Sequence, residues 1–209
     1  MAKTDPFDIH ADDYDRWFYE HPLIYAAELK AVDALLPPSR EQGLEVGVGS
    51  GKFASRLGVP IGVEPATAMA ERAARLGIDV YPGVAEALPF SAGRFRYVLM
   101  VATICFVDDP LKAFEEAFRV IRPGGCIVVG FIDRESEIGR EYESRKETSV
   151  FYRDARFHTA GEILDFLVRA GFQQPVFKQT LIPGEREDVV WEGYGTGSFV
   201  VVRAERSGA

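Results

Sequence analysis

Residues Glu45 to Gly51 read E-V-G-V-G-S-G, three glycines alternating with small residues directly behind a short apolar run. Glycine lets a backbone turn tightly and lets a ligand approach the main chain with no Cβ in the way. At the end of the first strand of an open α/β sheet, such a loop faces the crevice where nucleotide-like ligands bind. A dinucleotide fingerprint has the spacing G-x-G-x-x-G, its last glycine allowing close helix packing. Here the spacing is G-x-G-x-G, and Lys52 stands where that last glycine belongs, which weakens a pyrophosphate reading. Glu64, in Gly62-Val63-Glu64-Pro65, ends the next apolar run. A carboxylate there accepts hydrogen bonds from both hydroxyls of a ribose. Taken singly, a glycine turn and an acid at a strand end are structural features. In this order and together they favour a ligand site.

Other groups able to do chemistry are scattered. Thr103, Ile104, Cys105 and Phe106 follow the fourth apolar run, and Asp133 and Arg134 follow the fifth. A Cys105 thiolate could ligate a soft acceptor, but no partner cysteine stands at usable spacing, and a small buried hydrophobe is the preferred reading. His21 and His158 are candidate general bases. Arg134, Arg140, Arg145, Lys146, Arg153 and Arg156 give residues 133–158 a set of cations able to fork a carboxylate, interleaved with Tyr142, Phe151 and Tyr152. Asp133, Glu135, Glu137, Glu141, Glu143, Glu147 and Asp154 share that stretch, so a solvated charged helix with internal ion pairs is preferred.

The elements that must position these groups follow from periodicity. Residues 5–36 mix acids with aromatics and end in YAAELKAVDALL, an amphipathic helix stopped by Pro37 and Pro38. Then GLEVGVGSG is a buried strand running into glycines, KFASRLG a short helix, VPIGVEP a strand, AMAERAARLG a helix, and IDVYPG and RFRYVLMVA two strands. PLKAFEEAFRVIR is a helix and GGCIVVGFID a fifth strand. Nearly all-apolar strands alternating with helices imply parallel pairing with helices on both faces, a doubly wound sheet. Residues 133–158 break this rhythm and are too polar for core. TAGEILDFLVRAG is then a helix with Thr159 as N-cap, Glu162 completing a capping box and Gly171 closing it. Two late strands near PVFKQTLI and GSFVVVRAE, with no helical pattern between, suit an antiparallel hairpin at the sheet edge.

With these elements in place, the chain resembles the class I S-adenosylmethionine-dependent methyltransferases of small-molecule type. The motifs that carry the resemblance are LEVGVGSG, GVEP, GVAEALPF and FRVIRPGG, in the family's order over residues 40–132. The resemblance implies an α/β fold with a doubly wound, mostly parallel, seven-stranded sheet whose last strand is antiparallel. It implies S-adenosylmethionine as cofactor, with Glu45 and the Gly47, Gly49 and Gly51 backbone against its methionine part, Glu64 and Pro65 at the ribose, and Ala85 and Glu86 near the adenine. Val101, ending the fourth strand, belongs to the same set. It implies too that the N-terminal segment closes over the cofactor, which makes Tyr14 a candidate lid residue whose ring could shield the sulfonium by cation–π contact. Two positions depart from the family. Val84 replaces an acid or amide placed for the adenine amino group, and Phe95-Arg96 replaces Phe-Asp at the start of strand four.

Composition bounds what remains. With 209 residues, 47% of them hydrophobic, the chain can bury one sizeable core, so the expectation is one domain over 1–209, with a helical cap over 1–38 and an insertion over 133–158 covering part of the acceptor site. A net charge of −8 argues against a nucleic-acid partner, which needs clustered basic surface. The N-terminal MAKTDPFDIHADDYDRW has no hydrophobic signal core, and no apolar run reaches bilayer length. With two unpaired cysteines, a cytoplasmic location is expected. ATICFV after strand four lacks the Asn/Asp-Pro-Pro-Tyr-like tetrapeptide of enzymes that methylate base or glutamine amino groups. The expected function is methyl transfer to a small molecule. A noncatalytic S-adenosylmethionine-binding module and a nicotinamide-binding oxidoreductase stand as alternatives. The acceptor, the attacking atom and the oligomeric state are not legible.

Overall fold

A computed structural model describes residues 4–186 and 188–208; Met1–Lys3, Glu187 and Ala209, which fall within the expected single domain, lie outside the described residues. Five parallel strands begin the sheet: β1 (Gly43–Val46), β2 (Ile61–Val63), β3 (Asp79–Tyr81), β4 (Phe95–Val101) and β5 (Ile121–Ile132). β6 (Gln173–Thr180), β7 (Trp191–Glu192) and β8 (Phe199–Glu205) complete it in the order β3-β2-β1-β4-β5-β8-β6-β7. β8 runs antiparallel to both β5 and β6 and lies between them. The two late strands therefore pair as expected, but the count is eight, one more than expected. The extra strand, β7, pairs only Lys178↔Glu192 and Gln179↔Trp191. Two exposed residues are too few to leave an alternation of apolar and polar positions.

Alternate residues of the central strands feed two cores, as the strand period of two dictates. Val98 and Met100 of β4 join Ile127 and Val129 of β5 and Val200 and Val202 of β8 on one face. There they meet α6 (Pro110–Val120) and α8 (Ala160–Arg169) through Phe114, Ala117, Ile163 and Leu167. Tyr97, Leu99 and Val101 join Val128 and Val201 on the other face, against Val32 of α3 (Pro22–Asp33) and Phe53 and Leu57 of α4 (Lys52–Leu57). The expected capping box closes the start of α8: the Thr159 hydroxyl accepts the Glu162 N–H, and the Glu162 carboxylate accepts that of Thr159.

Two short helices, α1 (Asp5–Ile9) and α2 (Ala11–Glu20), precede α3, and α5 (Thr67–Arg75) follows β2. The charged stretch after β5 forms α7 (Glu137–Arg145) and a loop returning to α8. Its ion pairs Glu141–Arg145 and Glu143–Lys146 match the solvated-helix reading. The stretch is nevertheless not all surface. Ala155 and Phe157 are buried with Cys105, and Tyr142 and Tyr152 pack against them. Its buried apolar groups are interleaved in sequence with its charges, so average polarity conceals them. No described helix is long and apolar enough to cross a membrane.

Candidate active site

A cavity of about 780 Å³ opens at the carboxyl ends of β1, β2 and β4, within the size range of small-molecule and cofactor sites. Gly47, Gly49, Glu64, Pro65, Ala85, Glu86, Val101 and Tyr14 all line it. Glu45 and Gly51 do not. Glu45 is 2% exposed in β1 and accepts the Ala54 N–H, tying strand to helix α4, while its Oε2 has no partner among the described residues. Burial holds its carboxyl well above the usual carboxylate range. Gly51 is the left-handed residue that starts α4 and packs on Ile78 and Ala73.

The loop is built for close approach. Gly47 has φ +68°, and a Cβ there would stand 2.3 Å from Thr103 Cγ2. Gly49, at φ +54°, presents bare backbone to the cavity, where a Cβ would stand 3.5 Å from the Tyr14 hydroxyl. Glu64 is aimed by two main-chain donors: Gly49 N–H donates to Oε2 at 2.8 Å and Ala66 N–H to Oε1 at 2.9 Å. Each oxygen keeps a further lone pair for a ligand hydroxyl. Burial raises its pKa and the two backbone bonds partly offset that. Glu86, expected near the adenine, lines the cavity and accepts the Asp108 and Asp109 backbone N–H groups. It fixes the loop after β4, on which Thr103 and Phe106 also face the cavity.

Helix α2 closes over the loop through contacts that the motifs did not reveal. Asp15 accepts from Ser50 Oγ at 2.6 Å, pairs with Arg72 at 2.9 Å and lies 3.3 Å from Lys52 Nζ, and Arg72 also holds Asp12. These partners hold the Asp15 carboxyl below the usual range despite its desolvation. Asp8 accepts the Ala68 N–H at the start of α5. Tyr14 is thereby seated against Phe7, Phe18 and Phe151. Burial first, then the neighbouring Glu64 and Glu45, raises its pKa so that the ring stays neutral.

Several sequence candidates lie elsewhere. Neither His21, stacked on Trp17, nor His158 lines the cavity. His158 lies 3.8 Å from Glu162, and burial lowers its pKa. None of the six cations of residues 133–158 lines it either; Arg134, for example, pairs with Glu162. Cys105 is buried behind the wall, 3.5 Å from the Ala102 carbonyl, and desolvation pushes its thiol up to about 12. Cys126 is buried too. Both cysteines are therefore expected to resist a thiol reagent at pH 8 in the native protein and to react fully in denaturant; native-state labelling within the mixing time would contradict this burial.

One lining residue escaped the sequence reading altogether. Glu28 sits on the buried stripe of α3 with Ala27, Ala31 and Val32, is 8% exposed, and has no hydrogen-bond or ion-pair partner among the described residues. Desolvation alone pushes its carboxyl from 4.5 up to about 8. Between those two pH values the folded protein retains a proton that the unfolded chain has lost, so Glu28 makes stability fall as pH rises. Glu28→Gln, which cannot ionise, is expected to gain thermal stability relative to wild type as the buffer moves from pH 5 to pH 8. A constant difference across that window would contradict it.

Comparison with known proteins bears on this site. A family described as "Methyltransferase domain" matches residues 44–129. An uncharacterized protein of Methanocaldococcus jannaschii is 40% identical over 96% of this chain and 98% of its own length. The crystal structure of a SAM-dependent methyltransferase of Thermotoga maritima, described as a possible histamine N-methyltransferase, is 45% identical. It covers 98% of this chain and 99% of its own, with a TM-score of 0.92. A phosphoethanolamine N-methyltransferase of Haemonchus contortus, solved with S-adenosyl-L-methionine, shares the fold at 17% identity and TM-score 0.64, over 96% of this chain and 60% of its own. The dinucleotide and noncatalytic alternatives give way to this match. The glycine loop without the third dinucleotide glycine, the acid ending β2 and the antiparallel β8 thus have one explanation: the chain belongs to the class I, Rossmann-like S-adenosylmethionine-dependent methyltransferases and is an enzyme of that family.

Proposed function

We propose that the enzyme methylates a small molecule held in the 780 Å³ cavity, with Gly47, Gly49, Glu64, Pro65, Ala85, Val101 and Tyr14 holding the cofactor. The observation that carries this reading is that one cavity joins the glycine loop and Glu64 on the β1–β2 side to an aromatic wall on the other. Bound S-adenosylmethionine supplies an electrophilic methyl group on a sulfonium. The protein's task is alignment and exclusion of water. Glu64 fixes the ribose by charge-assisted hydrogen bonds. The Gly47 and Gly49 backbone lies against the methionine part, and the Tyr14 ring shields the positive charge. Glu45 and Gly51 act one layer behind, holding β1 and α4 in register.

Residues 4–38 form the cap of the same unit, and residues 133–158 supply Tyr142, Phe151 and Tyr152 to the acceptor's side. Together they close over the site, which favours an acceptor small enough to lie inside the cavity. The test is transfer of labelled methyl groups from S-adenosylmethionine into a cell extract separated by ultrafiltration after reaction. Label is expected in the low-molecular-weight filtrate. Label confined to protein or nucleic acid would overturn the small-molecule reading.

A further inference from the structure

The acceptor side of the cavity holds a buried carboxylate that the bound cofactor does not explain. Helix α3 packs across β5, β8 and β6, on the other side of β4 and β1 from Glu64. It brings Glu28 to a wall shared with Ile132, Phe199, Tyr142 and Tyr152. The residue is only 8% exposed, and its carboxylate has no partner among the described residues. Tyr142, Tyr152, Tyr14 and Tyr25 are titratable groups that feel its charge. All four are phenols whose own pKa values burial raises, so they stay neutral and cannot balance it.

A buried, unpaired carboxylate is costly, and a protein keeps one where a ligand completes it. The cavity selects the sign of that ligand. Among the described residues, Asp13, Glu20, Glu28, Glu64 and Glu86 line it with one cation, Arg16, which is already paired with Asp13 at 2.9 Å. The aromatic faces of Phe106, Phe151, Tyr142 and Tyr152 complete the same wall. Phe106 and Tyr142 are each stacked on Tyr152, with ring centroids 5.9 and 5.0 Å apart. Aromatic faces attract cations and accept flat apolar bodies.

We propose that Glu28 and this aromatic wall form the acceptor subsite and that the methyl acceptor is a small organic amine, bound as its ammonium through Glu28, whose carboxylate takes one ammonium proton so that the freed nitrogen lone pair displaces S-adenosylhomocysteine from the methyl group. The proposal rests on the cofactor assignment above, since it takes the β1–β2 side of the cavity to be filled by S-adenosylmethionine. An ammonium would satisfy the carboxylate and relieve its desolvation, and the rings would seat the amine's carbon skeleton. A neutral alcohol would gain no charge-assisted pair, since without a cation the buried Glu28 keeps its proton, and a carboxylate would bring a second anion to the same wall.

The experiment uses the full-length protein saturated with S-adenosylhomocysteine. A set of monoamines of increasing size, from ethylamine to 2-phenylethylamine, is titrated against the matching alcohols and carboxylates, for wild type and Glu28→Gln. At least one amine is expected to bind wild type, at least about tenfold more tightly than its alcohol, and to lose about tenfold or more in Glu28→Gln, as for a charge-assisted hydrogen bond. The affinities of the variant for S-adenosylmethionine and S-adenosylhomocysteine are expected to stay within about twofold of wild type, the discrepancy allowed an uninvolved side chain. Absence of amine binding, equal binding of alcohols, or unchanged amine affinity in Glu28→Gln would overturn the proposal. So would a loss selective for S-adenosylmethionine over S-adenosylhomocysteine, which would place Glu28 at the sulfonium. Failure of wild type to bind S-adenosylhomocysteine would instead count against the cofactor assignment.

Discussion

Replacing Glu64 with alanine is expected to weaken both S-adenosylmethionine and S-adenosylhomocysteine by about tenfold to a hundredfold, roughly 1.5–3 kcal/mol. The side chain does two jobs. On the proposed assignment its outward lone pairs accept the ribose hydroxyls, while its inward ones accept the Gly49 and Ala66 N–H groups at 2.8 and 2.9 Å. Alanine removes the ribose acceptors and also frees the Gly49 end of the loop that must lie against the ligand. Glu64→Gln retains one amide oxygen and is expected to fall between wild type and alanine. Because removing a buried carboxyl also relieves desolvation, the unliganded variant is expected to unfold near the wild-type temperature. Calorimetric titration and a thermal melt together check this. Unchanged affinity in a folded Glu64→Ala would remove the ribose role from this residue.

Phe114→Ala is expected to be the more damaging change for the fold. The ring is fully buried in α6, between the β4–β5 face of the sheet and α8. Truncating a buried phenylalanine costs about 3–5 kcal/mol through lost burial and the cavity left behind. For a chain of this size that corresponds to a fall in Tm of roughly 6–20 °C. Val168→Ala on the exposed side of α8, 57% exposed, is the control and is expected to shift stability by no more than about 0.5 kcal/mol. Denaturant unfolding of both variants checks the difference. Equal stabilities would mean that the α6–α8 layer does not pack on the sheet as described.

The inner sheet was legible because β1, β4, β5 and β8 are largely buried on both faces and so appear as continuous apolar runs cut by glycine and proline. The capping box of α8 was legible because Thr159 and Glu162 are local in sequence. The loop and Glu64 were legible for the same reason, since a strand end fixes where a side chain points. What was hidden depended on distance along the chain. Asp15 bridges α2 to Ser50, Lys52 and Arg72, and nothing near Asp15 in sequence points to them. Glu86 carries a family motif, but its hold on the loop after β4 was not visible in it. β7 has too few residues for a period. Glu28 did leave a signal: in YAAELKAVDALL it falls one residue from Ala27 and three and four from Ala31 and Val32, on the apolar stripe. An acid at such a helical spacing marks either a paired core charge or a ligand group.

The central claim is that the cavity beneath Tyr14 is an S-adenosylmethionine site. Calorimetric titration of the purified protein with S-adenosylmethionine, S-adenosylhomocysteine and NAD tests it most directly. Saturable binding of both sulfur ligands at one site per chain, with no binding of NAD, is the predicted result. Absence of binding by either sulfur ligand, or preference for NAD, would contradict the account.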